Sequence, residues 1–453
     1  MSRSFLLLCS SFCTALLAPW TAASAQQVGP FRSERFDENW SGVGDDAPFG
    51  AALKNIDLGH DVRLSLGGDA RWRFSWLDAP RLGLGGVQED AWVLQRLLAH
   101  ADLRFGDNAR VFVQLGAHDG VSREIASSTD DDTLDLQQAF IDLHKKVGSA
   151  DVTLRLGRQE LVLGPRFASA RDSGNVRQRH DMARVIITGG DWRLDAFGGR
   201  PTEVNRGAFD DEPDPNQRFY GARMQHKTRD TTLEISAYRL DRDAVTLAGV
   251  TAPDDRTSYG AHAFGRRGSI DFDAEAVFQS GAFGGDDIRA FGAALDLGRT
   301  FTETPMTPRI NLRLTYGSGD SAAGDGKQET FAPVFPNSSW FGQNGLASFS
   351  NTIETAGMIA ITPRENVTLT AKLAAVWRAD TNDFLYAGNT ALANTSGGDE
   401  AFTGVSPSLS LVWRPNANIT INPYVSYVVL SDEVRDRGAH NVTYAHLTIG
   451  LRF

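Results

Sequence analysis

Cysteine is almost absent from this chain of 453 residues, and the two that occur, Cys9 and Cys13, lie close to its N-terminus. Around them, Arg3 supplies a positive charge, an apolar stretch follows, and small residues end at Ala25. This order predicts a secretory signal peptide over residues 1–25, cleaved after Ala25. We therefore expect a mature chain without cysteine, which excludes disulfides and thiol chemistry.

Long apolar runs are absent from the rest of the chain, and the mean hydropathy is −0.27. A bilayer-spanning helix needs roughly 20 consecutive apolar residues, so the sequence excludes a helical membrane protein. A surplus of positive charge is also missing: the formal net charge is −11 at pH 7, which argues against a nucleic-acid partner. No HExxH, GxSxG, P-loop or Cys/His cluster occurs, and nine histidines are scattered singly. We expect no enzyme activity, no cofactor and no bound metal.

Apolar and polar residues alternate along the chain from residue 62 to its end. A period of two indicates strands with one apolar and one polar face, as in 444–453, where Ala445, Leu447 and Ile449 alternate with polar residues. The predicted strands are 62–76, 90–105, 109–119, 134–147, 151–159, 182–190, 191–201, 216–227, 231–241, 257–266, 269–281, 287–298, 307–319, 352–362, 366–378, 404–414, 418–430 and 442–453.

The connections between these segments have a rhythm of their own. Every second one is a tight turn, as at 106–108, 148–150 and 189–190, whereas long segments such as 159–181 and 320–351 lie between them. Short periplasmic turns that alternate with long extracellular loops are typical of bacterial outer-membrane barrels. The fold class predicted is therefore all-β: a single antiparallel transmembrane β-barrel of about 18 strands in the outer membrane, with 16 as the alternative count. Its closing strand, 442–453, should pair with 62–76.

The sequence thus predicts a chain of three parts. They are a signal peptide over 1–25, a periplasmic N-terminal segment over 26–61 and the barrel over 62–453. The apolar faces should contact lipid and lipopolysaccharide. Aromatic residues that cluster near strand ends should form interfacial girdles, and they are Trp72, Trp76, Trp192, Trp377, Trp413 and Tyr427.

Arginine is the residue type that suggests a function. Several arginines fall on the polar sets of the strands, and a second group lies in 158–184. Charges that face lipid are costly, so these side chains should face the lumen. Rings of arginine favour anions and bind carboxylates in a bidentate fork. The alternative is that they pair with lumen acids such as Asp69, Asp102 and Asp195 and only stiffen the wall. The candidate lumen residues are Arg71, Arg96, Arg158, Arg166, Arg177, Arg184 and Arg223.

A run of acidic residues, 130–132, offers carboxylate ligands for a divalent cation. The alternative, a solvated acidic loop tip, is the interpretation that we favour.

At these arginines the chain resembles the alginate-export family of outer-membrane porins. The resemblance covers about residues 31–453 and rests on an ordered set of short motifs. They are Phe31 to Trp40, Lys54-Asn-Ile, Leu64 to Arg71, Leu156-Gly-Arg-Gln159, Asn175-Val-Arg177, Arg200-Pro201 with Phe209-Asp-Asp211, Ser318-Gly-Asp320, Thr330-Phe331 with Phe335-Pro336, and Leu385-Tyr386.

The resemblance implies an eighteen-stranded barrel with an arginine-rich lumen that passes a polyuronate out of the cell. Arg71, Arg158 and Arg177 lie in its motifs, although strict alternation from Leu156 would direct Arg158 outward. We expect a passive, anion-selective channel that exports an acidic, alginate-like polysaccharide, with a periplasmic export scaffold as a further partner. The alternative is an uptake porin for small carboxylates or acidic sugars.

Overall fold

The computed structural model describes residues 31–40, 48–388 and 390–453. The predicted signal peptide, 1–25, lies outside the described residues. No helix in the described part of the chain combines the length and apolar character that crossing a membrane requires. Among the described residues, helical structure is limited to the short α-helix Asp432–Asp436 and four 3-10 turns, which are Arg35–Asp37, Ala51–Leu53, Pro80–Gly83 and Ser338–Trp340.

Eighteen antiparallel strands form the wall of a closed barrel. In chain order they are β1 Val62–Asp78, β2 Glu89–Phe105, β3 Ala109–Val121, β4 Asp132–Val147, β5 Ala150–Gln159, β6 His180–Gly189, β7 Trp192–Glu203, β8 Gln217–Lys227, β9 Thr231–Leu247, β10 Val250–Arg267, β11 Ile270–Phe283, β12 Asp286–Thr300, β13 Arg309–Gly317, β14 Thr352–Arg364, β15 Val367–Trp377, β16 Phe402–Trp413, β17 Ile419–Leu430 and β18 Val442–Arg452. The predicted fold class and the count of eighteen are confirmed, one strand for each predicted segment.

The barrel closes where β18 pairs with β1, from Asp69↔Arg452 to Leu77↔Tyr444. Each of the remaining wall strands pairs with the wall strands before and after it in the chain. Five further strands are short and lie at the ends of the barrel or in its connections: Ile56–Gly59, Glu212–Pro213, Lys327–Gln328, Tyr386–Ala387 and Thr390–Ala391. Because the wall has no unpaired edge, its main-chain groups are satisfied within it.

The connections follow the predicted rhythm with two differences. On the long-loop side, β9 and β10 continue to a tight turn at 248–249, and β11 and β12 meet at 284–285. The predicted segments 231–241 and 257–266 therefore lie within a taller hairpin. On the short-turn side, 301–308 is longer than the other turns.

The outer face of the barrel is apolar, as the alternation predicts. Ile310, Leu312 and Leu314 of β13 are exposed on one face, whereas Asn311 and Arg313 between them are buried on the other. A belt of exposed apolar side chains around a closed barrel is the surface that a bilayer requires.

Two long connections fold into the lumen. The inward loop 160–179 and the segment 331–349 contribute buried residues that pack together and against the inner faces of β6 to β9, β11 and β12. Phe167 of the inward loop stands edge-on to Phe331 and to Phe349, with centroid distances of 5.0 Å in both cases. Main-chain hydrogen bonds join them, from Ser169 to Phe335 (2.9 Å) and from Asn337 to Arg166 (2.8 Å). The two connections therefore occupy part of the lumen and narrow it.

Candidate functional site: an arginine network in the lumen

Arg71 on β1 and Arg96 on β2 are direct cross-strand partners and point to the same side of the wall. Like charges directly opposite each other destabilise a sheet unless nearby acceptor groups offset their repulsion. The inward loop does so: Arg71 donates to the main-chain oxygens of Asp172 (2.7 Å) and Gly174. Arg73, two residues further along β1, donates to the oxygen of Ser173 at 2.7 Å. The loop therefore crosses the lumen and docks on these arginines.

Asn175 fixes the same loop tip to the wall. Its side-chain amide donates to the main-chain oxygens of Gln95 (2.9 Å) and Asp130 (2.8 Å). The loop thus contacts β1, β2 and the connection before β4 within a few residues.

The carboxylate of Asp172 lies at the centre of this network. Its Oδ1 is 2.9 Å from Arg96 Nη2 and 2.9 Å from Arg177 Nη1. The side chain is 59% exposed although it lies inside the barrel, so it faces water in the lumen. Enclosure by protein would raise the pKa of Asp172, but Arg96, Arg177 and Arg71 outweigh it and hold this pKa well below its usual range.

Arg177 connects the inward loop with the N-terminal segment. Its guanidinium lies 2.6 Å from Glu160 and 3.4 Å from Glu34. Burial of Glu34 raises its pKa to about 7, and the attraction of Arg177 offsets only part of this effect. Two elements that enter the lumen from different parts of the chain therefore meet at one guanidinium.

Residues 31–40 pack against the inner side of the barrel near its short-turn end. Arg35 donates to the main-chain oxygens of Gly68 (3.0 Å) and Phe453 (2.8 Å). Arg110 of β3 donates to the oxygen of Phe36 at 2.7 Å, and the guanidinium of Arg155 lies 4.5 Å from the Phe36 ring. This part of the segment predicted over 26–61 thus occupies the barrel mouth. The periplasmic location of the whole segment stays a prediction.

Three arginines share one carboxylate further round the wall. Asp195 on β7 is contacted by Arg184 (2.6 Å), Arg193 (2.8 Å) and Arg223 (2.9 Å). The pairing with Asp195, which the sequence left as an alternative, is therefore present. It leaves two positive charges in excess at this point.

Arg166 makes the contacts of a loop anchor. Its side chain is 1% exposed and lies 2.7 Å from Asp273 and 3.2 Å from Glu275, and its guanidinium is 4.3 Å from the Trp340 ring. It therefore joins the inward loop to β11 and to the segment that packs beside it.

Arg158 lies where β4 and β5 separate, because their pairing ends at Ala139↔Arg158. Gly157 before it has φ +122°, a conformation that side chains rarely adopt, and a Cβ there would lie 2.3 Å from the oxygen of Ala139. Arg158 contacts Asp181 (3.1 Å) and Asp135 (3.2 Å) and is 8% exposed. Carboxylates thus enclose Arg158 at the long-loop end of the wall.

Sequence reasoning missed several partners in this network. Asp172 and Glu160 lie within the arginine-rich stretch 158–184, and their closeness to arginines in the sequence was an available signal. The contact of Glu34 with Arg177 had no such signal, because 143 residues separate them. The acidic run 130–132 is split by the fold: Asp130 pairs with Arg123 at 2.6 Å, whereas Asp132 joins a different group of carboxylates.

A closed barrel of eighteen strands, apolar outside and charged within, defines an outer-membrane channel of the porin type. The sequence profile described as alginate export matches residues 62–447. The chain belongs to the alginate export family, as the resemblance in its motifs implied. A comparison with curated proteins finds no match.

Solved porin structures share the fold at low sequence identity. OpdO of Pseudomonas aeruginosa has a TM-score of 0.56 and 12% identity, covering 86% of this chain and 97% of its own. A BenF-like porin from Pseudomonas fluorescens Pf-5 has a TM-score of 0.57 and 8% identity, with coverages of 86% and 99%. OccK2 (OpdF) of Pseudomonas aeruginosa, solved with glucuronate, has a TM-score of 0.55 and 10% identity, with coverages of 86% and 96%.

Proposed function

We propose that this chain is a passive, anion-selective channel that exports an acidic, alginate-like polysaccharide through an arginine-lined lumen. The observation that carries the proposal is the water-exposed carboxylate of Asp172 between Arg96 and Arg177. This is the geometry in which a uronate carboxylate would bind, since guanidinium groups hold carboxylates through charge-assisted hydrogen bonds. Asp172 thus serves as an internal stand-in for the substrate.

An excess of positive charge at two places on the wall supports anion selectivity. Among the described residues, neither Arg71 nor Arg73 has a carboxylate within 4 Å, and main-chain oxygens of the inward loop are partners of both. Asp195 neutralises one of the three arginines that it contacts. Of the seven candidate residues, Arg71, Arg96, Arg177, Arg184 and Arg223 would guide the substrate, whereas Arg158 and Arg166 would hold the rim and the loop in position.

The direction of transport distinguishes a second candidate, an uptake porin for small carboxylates or acidic sugars. The narrowing of the lumen by two inward connections favours small solutes. The family supports export of a polymer, and a periplasmic scaffold would deliver that polymer at the end where residues 31–40 dock.

Current block by uronate chains of increasing length tests the proposal. In planar bilayers, an exporter should show block events that lengthen with chain length when the chains are added at the short-turn side. An uptake porin should respond to monomers and dimers and ignore longer chains. Block that is independent of length and of the side of addition would contradict polymer export.

A further inference from the structure

Residues 31–40 are attached to the inside of the barrel by their side chains. None of these residues belongs to a strand, so the main-chain ladder of the wall does not depend on them. The Phe36 ring lies in an aromatic seat, with centroid distances of 6.1 Å to Phe112 on β3 and 5.6 Å to Phe140 on β4. Arg35 adds hydrogen bonds to main-chain oxygens of β1 and of the C-terminal residue. A segment held in this way can leave the short-turn mouth while the wall stays closed.

Glu34 connects this segment to the arginine network. Its carboxylate lies 3.4 Å from the Arg177 guanidinium, whereas Asp172 and Glu160 lie 2.9 Å and 2.6 Å from the same group. One positive charge therefore serves three carboxylates, and Glu34 has the longest contact of the three. The Glu34 side chain is 26% exposed, so water screens its charge only in part.

The charge of Arg177 determines how well the docked segment tolerates an ionised Glu34. Asp37, Glu160 and Asp172 repel the carboxylate of Glu34, and Arg177 attracts it. A uronate carboxylate bound to Arg177 would add one more negative charge and would compete for this guanidinium. An enclosed charge that loses its partner is costly, so such binding would destabilise the docked segment.

We propose that residues 31–40 are an autoinhibitory plug of the short-turn mouth, released when a carboxylate of the substrate chain takes the place of Glu34 on Arg177. This inference rests on the proposed function, because it requires a polyuronate that enters at the short-turn side. Release would empty the seat of Phe36 and clear the mouth beside Arg110 and Arg155, which contact the docked segment. An idle channel would thus stay narrowed, and the substrate itself would widen it.

Hydrogen exchange of residues 31–40, measured on the full-length protein in detergent, tests this release. At pH 8, above the pKa of about 7 that burial gives Glu34, uronate oligomers should speed exchange in the segment. The expected change is about fivefold, which corresponds to the loss of a partly exposed ion pair. Neutral oligosaccharides of the same length should have no effect.

The variant Glu34→Gln should dock without a charge at this position, so uronate oligomers should leave its exchange unchanged. Asp37→Asn is the matched control, because it removes an exposed carboxylate of the same segment. It should respond to uronate as the native chain does. Equal responses of the native chain and of Glu34→Gln would overturn the release mechanism.

Single-channel recordings separate this inference from the proposed function. A chain without residues 31–40 should conduct more than the native channel, and resistance of its barrel to unfolding in cold detergent checks that the wall has closed. Unchanged conductance would overturn the plug. If uronate oligomers block the channel but leave exchange in residues 31–40 unchanged, the plug is contradicted and the proposed function stands. If they neither bind nor block, the proposed function is contradicted and the release mechanism falls with it.

Discussion

The carboxylate of Asp172, on a loop that folds into the barrel, lies 2.9 Å from the guanidinium of Arg96 on the wall. The same oxygen contacts Arg177, and the main chain beside it accepts a hydrogen bond from Arg71. Under the proposed function, this carboxylate of the protein occupies the position where an acidic substrate would bind. The proposal therefore makes selectivity depend on how the Asp172 carboxylate competes with the substrate.

Replacement of Asp172 by asparagine should increase the preference for anions. A unit charge at 4 Å contributes about 1 kcal/mol in water, so the anion-to-cation permeability ratio should rise by a factor of up to about five. Single-channel reversal potentials in a salt gradient measure this ratio. Asp191→Asn, in an exposed turn, is the control and should leave the ratio unchanged. A fall in anion preference in Asp172→Asn would contradict the role given to this residue.

The double variant Arg71→Gln, Arg73→Gln should lower anion preference and weaken block by uronate chains. These arginines have main-chain partners, so their loss removes positive charge without freeing a paired carboxylate. By the same Coulomb estimate, each substitution should reduce the permeability ratio by a factor of up to about five. The control is Arg289→Gln, whose side chain is 60% exposed. Equal effects of the double variant and of the control would count against an arginine-lined lumen.

Docking of residues 31–40 should weaken as the pH rises through about 7. Burial raises the pKa of Glu34 from 4.5 to about 7, so the folded state prefers the protonated carboxyl. The stabilisation is complete below about pH 4.5 and is lost as the pH rises through 7. Hydrogen-exchange protection factors for this segment, compared at pH 5 and pH 8, measure the effect. Glu34→Gln should abolish the pH dependence and Asp37→Asn should keep it; a dependence that persists in Glu34→Gln would assign it to another group.

Arg166→Gln should destabilise the inward loop strongly. The substitution leaves Asp273 and Glu275 buried without this guanidinium, and loss of one partner from a buried ion pair costs about 3–5 kcal/mol. Urea unfolding in detergent and the frequency of open-channel fluctuations measure the change. Arg206→Gln, with a side chain 70% exposed, is the matched loop control. Stability equal to that of the control would show that Arg166 does not anchor the loop.

The wall of the barrel could be predicted because it depends on local patterns. Alternation in 307–319 placed Ile310, Leu312 and Leu314 outside and Arg313 inside, as β13 has them. The turn at 148–149 and its equivalents indicated the order of the strands, and the predicted pairing of 442–453 with 62–76 is the pairing of β18 with β1. Period-two patterns encode such faces directly because a strand has only two of them.

The contents of the lumen could not be predicted in this way. Phe167 and Phe331 lie in connections without periodicity, and only the closed barrel brings them within 5.0 Å. The contact of Glu34 with Arg177 likewise depends on two segments that enter the same space. Strict alternation from Leu156 would direct Arg158 outward, but its side chain is buried among carboxylates. The reason is that Gly157 has an unusual φ and the pairing of β4 with β5 ends there.

The reversal potential of single native channels in planar bilayers under a potassium chloride gradient tests the central claim most directly. An arginine-lined lumen, in which Arg71 and Arg73 have no carboxylate within 4 Å among the described residues, predicts a reversal potential shifted toward the equilibrium potential of chloride. This potential should move toward zero when uronate chains occupy the channel. A reversal potential shifted toward the equilibrium potential of potassium would contradict an anion-selective channel for an acidic polysaccharide. A reversal potential that uronate chains leave unchanged would contradict it as well.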